Sequence, residues 1–280
     1  VCTPEMGRYY DASRAEYSWF DYRIPTETAA IEALRLVTPG DKQTIQEMQQ
    51  WLLQSKHTQQ WDTPLNAVEA VYAFMDARQL QLLKQETGNA QLMLDGKPLE
   101  MTIGITKTAV ATAEKMGKTF GNLTVDKTSN DMSWGAVFAE FTQPLRDITA
   151  QSTGLRVKRE VLTTDGTAVN AGQLKVGDRV KVRITLEASH DFDFVEVSDE
   201  RAACLEPVNP LSGYDWGYYY MPGDKQTRYF FDQLSKGKHV IETEYFIDRK
   251  GEYNSGICTA KCTYSPEFSG RDRVIKLTNE

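Results

Sequence analysis

The sequence predicts an α+β, multidomain chain in which stacked helical hairpins are followed by antiparallel β-sandwich. Three observations predict it. Apolar residues recur at helical spacing as far as Met75. From Leu92 onward they alternate with polar residues, the period of a strand. From Gly154 the alternating runs are short and are separated by Gly-containing turn signals.

Bulk composition sets the limits. A chain of 280 residues suggests two or three domains. Hydrophobic content of 40% and charged content of 25% are those of a globular protein, which excludes disorder as a reading of the whole chain. The net charge of −7, with lysines and arginines scattered, argues against nucleic acid as a partner, since phosphates need a basic face. No apolar run approaches the roughly 18 residues of a membrane helix, so no membrane contact is expected. The chain opens at Val1 without a visible signal peptide and is expected to be a piece of a longer protein.

The helical part comes first. Thr26 to Val37 is apolar on more than one side, with Ile31, Leu34 and Val37 joined by Ala30, Ala33 and Leu36. Pro39-Gly40 stops it, and Asp41 is placed to cap a second helix extending to Ser55, with Ile45, Met48 and Leu52 as its stripe. In Trp61-Asp62-Thr63-Pro64, Thr63 can cap a third helix, and Pro64 fits its first position, where a missing N–H costs nothing. Leu65, Val68, Tyr72 and Met75 form the expected stripe of that helix. Helices with wide apolar faces and short loops predict stacked αα-hairpins, each packed on two neighbours.

The β part follows. Leu92 and Leu94, then Met101, Ile103 and Ile105, alternate around an Asp95-Gly96 turn, and Trp134 to Phe141 is a further strand candidate. In the last part Leu155, Val157 and Val161 alternate. Val180, Val182, Ile184 and Leu186 share one face, as do Ile241, Thr243, Tyr245 and Ile247. Turns are signalled at Asp165-Gly166, Val176-Gly177-Asp178, Pro222-Gly223-Asp224 and Lys250-Gly251-Glu252.

Several stretches together resemble the tail of a bacterial alpha-2-macroglobulin-like protein. Gln60-Trp61-Asp62-Thr63-Pro64-Leu65-Asn66-Ala67 is similar to a loop and helix start of that family's toroid. Gly154-Leu155-Arg156-Val157-Lys158-Arg159 resembles the entry to its last macroglobulin domain. Leu205 to Pro210, Tyr229 to Leu234, and Tyr264-Ser265-Pro266-Glu267-Phe268 with Gly270-Arg271 resemble the landmarks of that domain. The resemblance implies a partial α/α toroid at 1–83, a short β segment at 84–150, and a C-terminal macroglobulin-like β-sandwich at 151–280. It implies a non-enzymatic part of a protease-trapping protein of the periplasm or cell surface, without a cofactor. The implied partners are upstream domains of the same chain and target proteases. An envelope module that binds protein or glycan without trapping is the alternative.

The family's internal thioester joins a cysteine to a glutamine three positions on. Cys204 is followed at that spacing by Pro207, which has no side-chain carbonyl, so no thioester is expected here. Cys258 and Cys262 have a zinc-like C-x3-C spacing, but Cys2, Cys204 and three scattered histidines (His57, His190, His239) do not complete a metal set. On one strand the two cysteines would sit about 13 Å apart, beyond the roughly 7 Å reach of a disulfide. The candidate disulfide is therefore Cys204 with Cys258 or Cys262, set against free buried thiols. Asp191, Asp193 and Glu196 alternate with apolar residues and are expected on the wet face of a strand rather than in a calcium or catalytic site. Asp21, Glu27 and Glu32 hint at a two-carboxylate glycosidase, though three helices do not build its cavity. In the family, aromatic side chains of the last domain keep the thioester from water. On that resemblance Tyr218, Tyr219, Tyr220 and Tyr264 are the candidates for a shielding contact between domains.

Overall fold

The computed structural model describes residues 1–12, 23–61, 63–75, 90–103, 109–112, 121–128, 135, 137–138, 140, 142–169 and 174–280. They fall into two units, one of Val1–Ala70 with Ala136–Glu280 and one of Val71–Gly135.

The first unit opens with a small ribbon of β1 (Cys2–Thr3) and β2 (Gly7–Arg8), followed by α1 (Arg23–Val37), α2 (Lys42–Thr58) and the start of α3 (Pro64–Phe74), whose residues from Val71 belong to the second unit. Asp41 caps α2 by accepting from the Thr44 amide at 3.1 Å, as its side chain predicts. Thr63 accepts from the Asn66 amide at 3.4 Å, and Pro64 takes the first position of α3. Ile24, Glu27 and Ile31 of α1 are buried, with Ile45, Met48, Trp51 and Leu52 of α2. The ribbon lies on α2: Tyr9 stacks on Trp51 with ring centres 5.5 Å apart, and Arg8 pairs with Glu47 at 2.8 Å. At Gly7 a Cβ would stand 2.3 Å from the Glu47 carbonyl oxygen, so only glycine permits this approach.

The expected apolar stripe of α3 faces the wrong way for a finished core. Leu65, Val68, Tyr72 and Met75 are all exposed, and the buried side is Asn66, Ala70 and Ala73. A helix with this inverted pattern presents its larger apolar face outward.

In the second unit β3 (Ala90–Leu94) pairs with β4 (Lys97–Pro98) and β7 (Leu123–Lys127), and β5 (Thr102–Ile103) pairs with β6 (Ala109–Val110). The Asp95-Gly96 turn has φ of 50° and 76°, the paired left-handed geometry that an Asp-Gly hairpin turn favours. Ile105 and most of Trp134 to Phe141 lie outside the described residues; Gly135, Val137, Phe138 and Glu140 of that stretch carry no strand.

The remaining strands are β8 (Gln151–Thr153), β9 (Leu155–Thr163), β10 (Arg179–Ala188), β11 (Phe192–Glu200), β12 (Leu205–Pro207), β13 (Gly213–Asp215), β14 (Tyr218–Pro222), β15 (Gln226–Leu234), β16 (Gly237–Ile247), β17 (Gly251–Asn254), β18 (Cys258–Cys262), β19 (Ser269–Asp272) and β20 (Lys276–Asn279). Eleven of them form one antiparallel sheet in the order β12-β16-β10-β9-β8-β19-β18-β11-β15-β14-β13, and β17 pairs with β20. The sheet folds over on itself as a sandwich. Tyr229 of β15 and Thr243 of β16 share a hydrogen bond of 2.7 Å across it, and Thr227 and Tyr245 share one of 2.9 Å. Val180, Val182, Ile184 and Leu186 are buried, as their alternation predicts. At Gly154, with φ of 72°, a Cβ would meet the Phe268 ring at 2.7 Å.

A buried ion pair crosses the same core. Arg159 of β9 donates to Asp199 of β11 at 2.5 Å, and both side chains are 2% exposed. The guanidinium also donates to Ser255 Oγ at 2.5 Å and to the carbonyls of Glu200, Gly256 and Arg273. These acceptors offset the desolvation cost of burying the cation, which a single carboxylate would not repay.

Candidate functional site

The residues that join the helices to the sandwich gather at the start of β11. Arg23 of α1 donates to Asp191 Oδ2 at 3.2 Å, and the Lys236 amide donates to Asp191 Oδ1 at 2.8 Å. The other contacts come from the end of α2. Gln59 leaves the helix in an extended conformation, with φ −138° and ψ 147°. Its side-chain amide thereby reaches the Asp191 carbonyl at 3.0 Å, and the Gln60 amide reaches Asp193 Oδ2 at 2.6 Å. Trp61 folds back and donates its indole N–H to Ser55 Oγ at 3.2 Å, beneath Lys56 Nζ. A helix end thus delivers two donors to two aspartates on a strand start.

This corrects the expectation that Asp191, Asp193 and Glu196 share a solvated strand face. Asp193 is 2% exposed, and Asp191 is half-buried against Arg23. Only Glu196 points outward, paired with Lys261 at 3.1 Å. The physical reason is strand phase: Asp193 shares the buried phase of Val195 and Val197, while Glu196 lies in the other phase, and the backbone between them is strained. Phe194 has φ of 58°, a left-handed conformation costly for a bulky residue. Asp193 pairs with Gln233 and Val195 with Phe231, and Phe194 has no partner in the register between them. The displaced carbonyls are held by the end of β18: Thr263 N–H donates to Phe194 O at 2.9 Å, and Cys262 Sγ to Asp193 O at 3.5 Å.

Tyr264 follows directly. It is 69% exposed and meets Phe194 edge to face, ring centres 5.3 Å apart. It therefore stands beside the strained residue that neighbours the helix contact. The other shielding candidates bond within the sheet and its loops. Tyr218 packs on Tyr229 and Phe231 and donates to Asp215 at 3.2 Å. Tyr219 packs edge to face on Tyr214, and Tyr220 is buried and donates to the Asn209 carbonyl at 2.8 Å.

The four cysteines are free thiols, so the expected pairing of Cys204 with Cys258 or Cys262 is not formed. Cys204 sits where its carbonyl accepts from Asp248, while Cys258 and Cys262 face the core from β18. Burial pushes the thiols of Cys204, Cys258 and Cys262 upward from their ordinary values, which makes them poor nucleophiles. Among the described residues no group of three His, Cys, Asp or Glu side chains could hold a metal ion. Glu32 is exposed, Glu27 is buried, and Asp21 lies outside the described residues.

Two buried titratable groups flank the contact. Glu27 accepts from the Tyr10 amide with one oxygen, while the other is buried without a hydrogen-bond partner. Burial raises its carboxyl to about 7, against the opposing pull of the Tyr10 amide. His190 packs on Phe192 and Phe268 and bonds Ser189 Oγ at 2.9 Å. Burial lowers it to about 4.

Arg23 and Gln59 lie in no motif of the sequence, and Gln60 and Arg159 are only the end residues of two stretches that carry the resemblance, with no contact role expected of them. For Arg159 a signal did exist: it occupies the buried phase of Leu155 and Val157, and Asp199 that of Val195 and Val197.

Fold and contacts define a helix pair docked on an antiparallel β-sandwich. Residues 154–267 match the family model described as the bacterial alpha-2-macroglobulin MG10 domain. No curated protein matches the sequence. Trypsin-activated alpha-2-macroglobulin from Escherichia coli is similar in structure, with 12% identity and a TM-score of 0.50, over 92% of this chain and 18% of that one. The Escherichia coli protein activated by porcine elastase gives 13% and 0.48, over 92% and 24%. The Salmonella protein reacted with methylamine gives 15% and 0.42, over 95% and 18%. The chain thus spans a quarter or less of the length of these proteins.

Proposed function

We propose that the chain is the non-enzymatic C-terminal portion of a bacterial alpha-2-macroglobulin-like protein that traps proteases in the periplasm or at the cell surface. The helices are the last ones of its α/α toroid, and the upstream domains and target proteases are its partners. The observation that carries this reading is the joint between helices and MG10 domain, in which Arg23, Gln59 and Gln60 converge on Asp191 and Asp193. Such a joint couples the position of a toroid to the last β domain, which a trap that rearranges on cleavage requires. The outward stripe of Leu65, Val68, Tyr72 and Met75 supports it, since further toroid helices would cover that face. Tyr264 is the shielding residue in this reading, because it stands next to the joint.

Among the described residues no helix is long and apolar enough to cross a membrane. The test is to challenge the full parent protein with elastase and with trypsin. A stable complex that retains the protease, and that forms less efficiently when Asp193→Ala is introduced, is expected. Cleavage without retention of either protease contradicts the proposal.

A further inference from the structure

We propose that the outer face of the β13–β14–β15 edge is a binding platform for a glycan chain. The strand register places Tyr214 opposite Tyr219, and Tyr219 opposite Phe230. Residues directly opposite in adjacent strands share a face, so the three side chains line up across three strands, with Tyr214 standing edge to face on Tyr219 at an interplanar angle of 73°. With strands about 4.8 Å apart the row spans roughly 10 Å, the reach of a disaccharide. Tyr214 is 75% exposed, and Trp216, in the turn beside it, is 98% exposed. Tyr214 is held in place by donating to Asp232 Oδ2 at 3.1 Å, and the turn that carries Trp216 is held by the Trp216 backbone amide, which donates to Asp215 Oδ1 at 2.9 Å. Rigid aromatic faces lose little entropy on binding.

The groups around the row select the ligand class. Glu196 and Asp232 share the row's face, and Lys261 beside Glu196 is already paired with it at 3.1 Å. Arg228 lies two residues from Phe230 on the same strand. No lysine or arginine occurs from Ala202 to Asp224, and carboxylates dominate the edge. Phosphate-rich ligands and anionic membranes are therefore disfavoured. A three-residue edge strand and its turn are small beside the roughly 800 Å² per partner of a stable protein interface. What fits is a ligand with a flat apolar face and many hydroxyls, donating to carboxylates and accepting from Arg228: a pyranose ring. This inference does not depend on protease trapping.

The experiment is calorimetric titration of the 280-residue chain with cellotetraose and with chitotetraose. At least one should bind, and Tyr214→Ala and Trp216→Ala should each weaken it about tenfold or more, the scale of one lost stacking contact. Leu211→Ala, an exposed change outside the row, should leave binding and the unfolding midpoint unchanged. No heat from either sugar at about 10 mM would overturn the proposal. So would binding that survives both aromatic substitutions. Self-association of the chain that Trp216→Ala abolishes would instead assign the face to a second copy and equally overturn it.

Discussion

Arg23 and Asp191 are 168 residues apart in the chain and 3.2 Å apart in the structure. With Gln59 and Gln60 they make the helices and the last β-sandwich one unit. That relationship separates a linked pair of domains from a docked one, and the predictions test its parts.

Glu27 should make the protein less stable as pH rises. Its folded carboxyl is raised to about 7 from an ordinary 4.5. Between those values the unfolded chain releases a proton that the folded chain keeps, so stability falls with pH and then levels. The fall is at most about 3 kcal/mol for this shift. Glu27→Gln keeps an oxygen for the Tyr10 amide and removes the charge. Denaturant unfolding at pH 8 should show it more stable than the parent chain, with no gain at pH 4.5. Equal stabilisation at both values would contradict the burial argument.

His190 should act in the opposite direction. Its folded pKa is lowered to about 4 from 6.5, so stability is lost as pH falls through that window. The size is again about 3 kcal/mol at most. From pH 6.5 to 4.5 the two groups oppose each other, and the natural chain should be nearly flat there. His190→Phe should therefore gain stability on acidification over that range. A flat profile for this variant would remove His190 from the account.

Arg159→Met should be severe. It leaves Asp199 buried without its cation, a change that costs about 3 to 5 kcal/mol in comparable pairs. Adding Asp199→Leu should recover most of that loss, because two apolar groups carry no desolvation penalty. A double variant as unstable as the single one would mean that the pair specifies more than charge balance.

The chain should carry no labile acyl bond. Pro207 stands where a thioester would need glutamine after Cys204. Methylamine treatment should leave the mass unchanged; a gain of ~31 Da at Cys204–Pro207, the mass of one added amine, would contradict this.

Much of the sandwich was legible because burial on one face writes a period of two into the sequence. Val180 to Leu186 followed it residue by residue, and so did Ile241, Tyr245 and Ile247, with Thr243 only half-buried. The helix caps were legible for the same reason, since Asp41 and Pro64 act through neighbours three or four residues away. The joint was not. Asp193 keeps the buried phase of its strand, but the donor that satisfies it comes from a helix end 133 residues distant, which no local pattern records. The stripe of α3 misled because periodicity reports that a face is apolar, not that this chain covers it. Arg159 and Asp199 lay between these cases, two opposite charges in buried phases whose mutual reach only the fold reveals.

The most direct test of the central claim is amide hydrogen exchange over Lys42–Thr58 in the natural chain and in Asp193→Ala. Removing a buried acceptor of the Gln60 amide costs about 1 to 3 kcal/mol, so exchange in the last turns of α2 should quicken roughly five- to 150-fold. Exchange in β10 and β16 should stay unchanged. Acceleration confined to α2 and α1 is the predicted result; unchanged protection of α2 would show that the helices do not depend on the Asp191–Asp193 joint and would contradict the account.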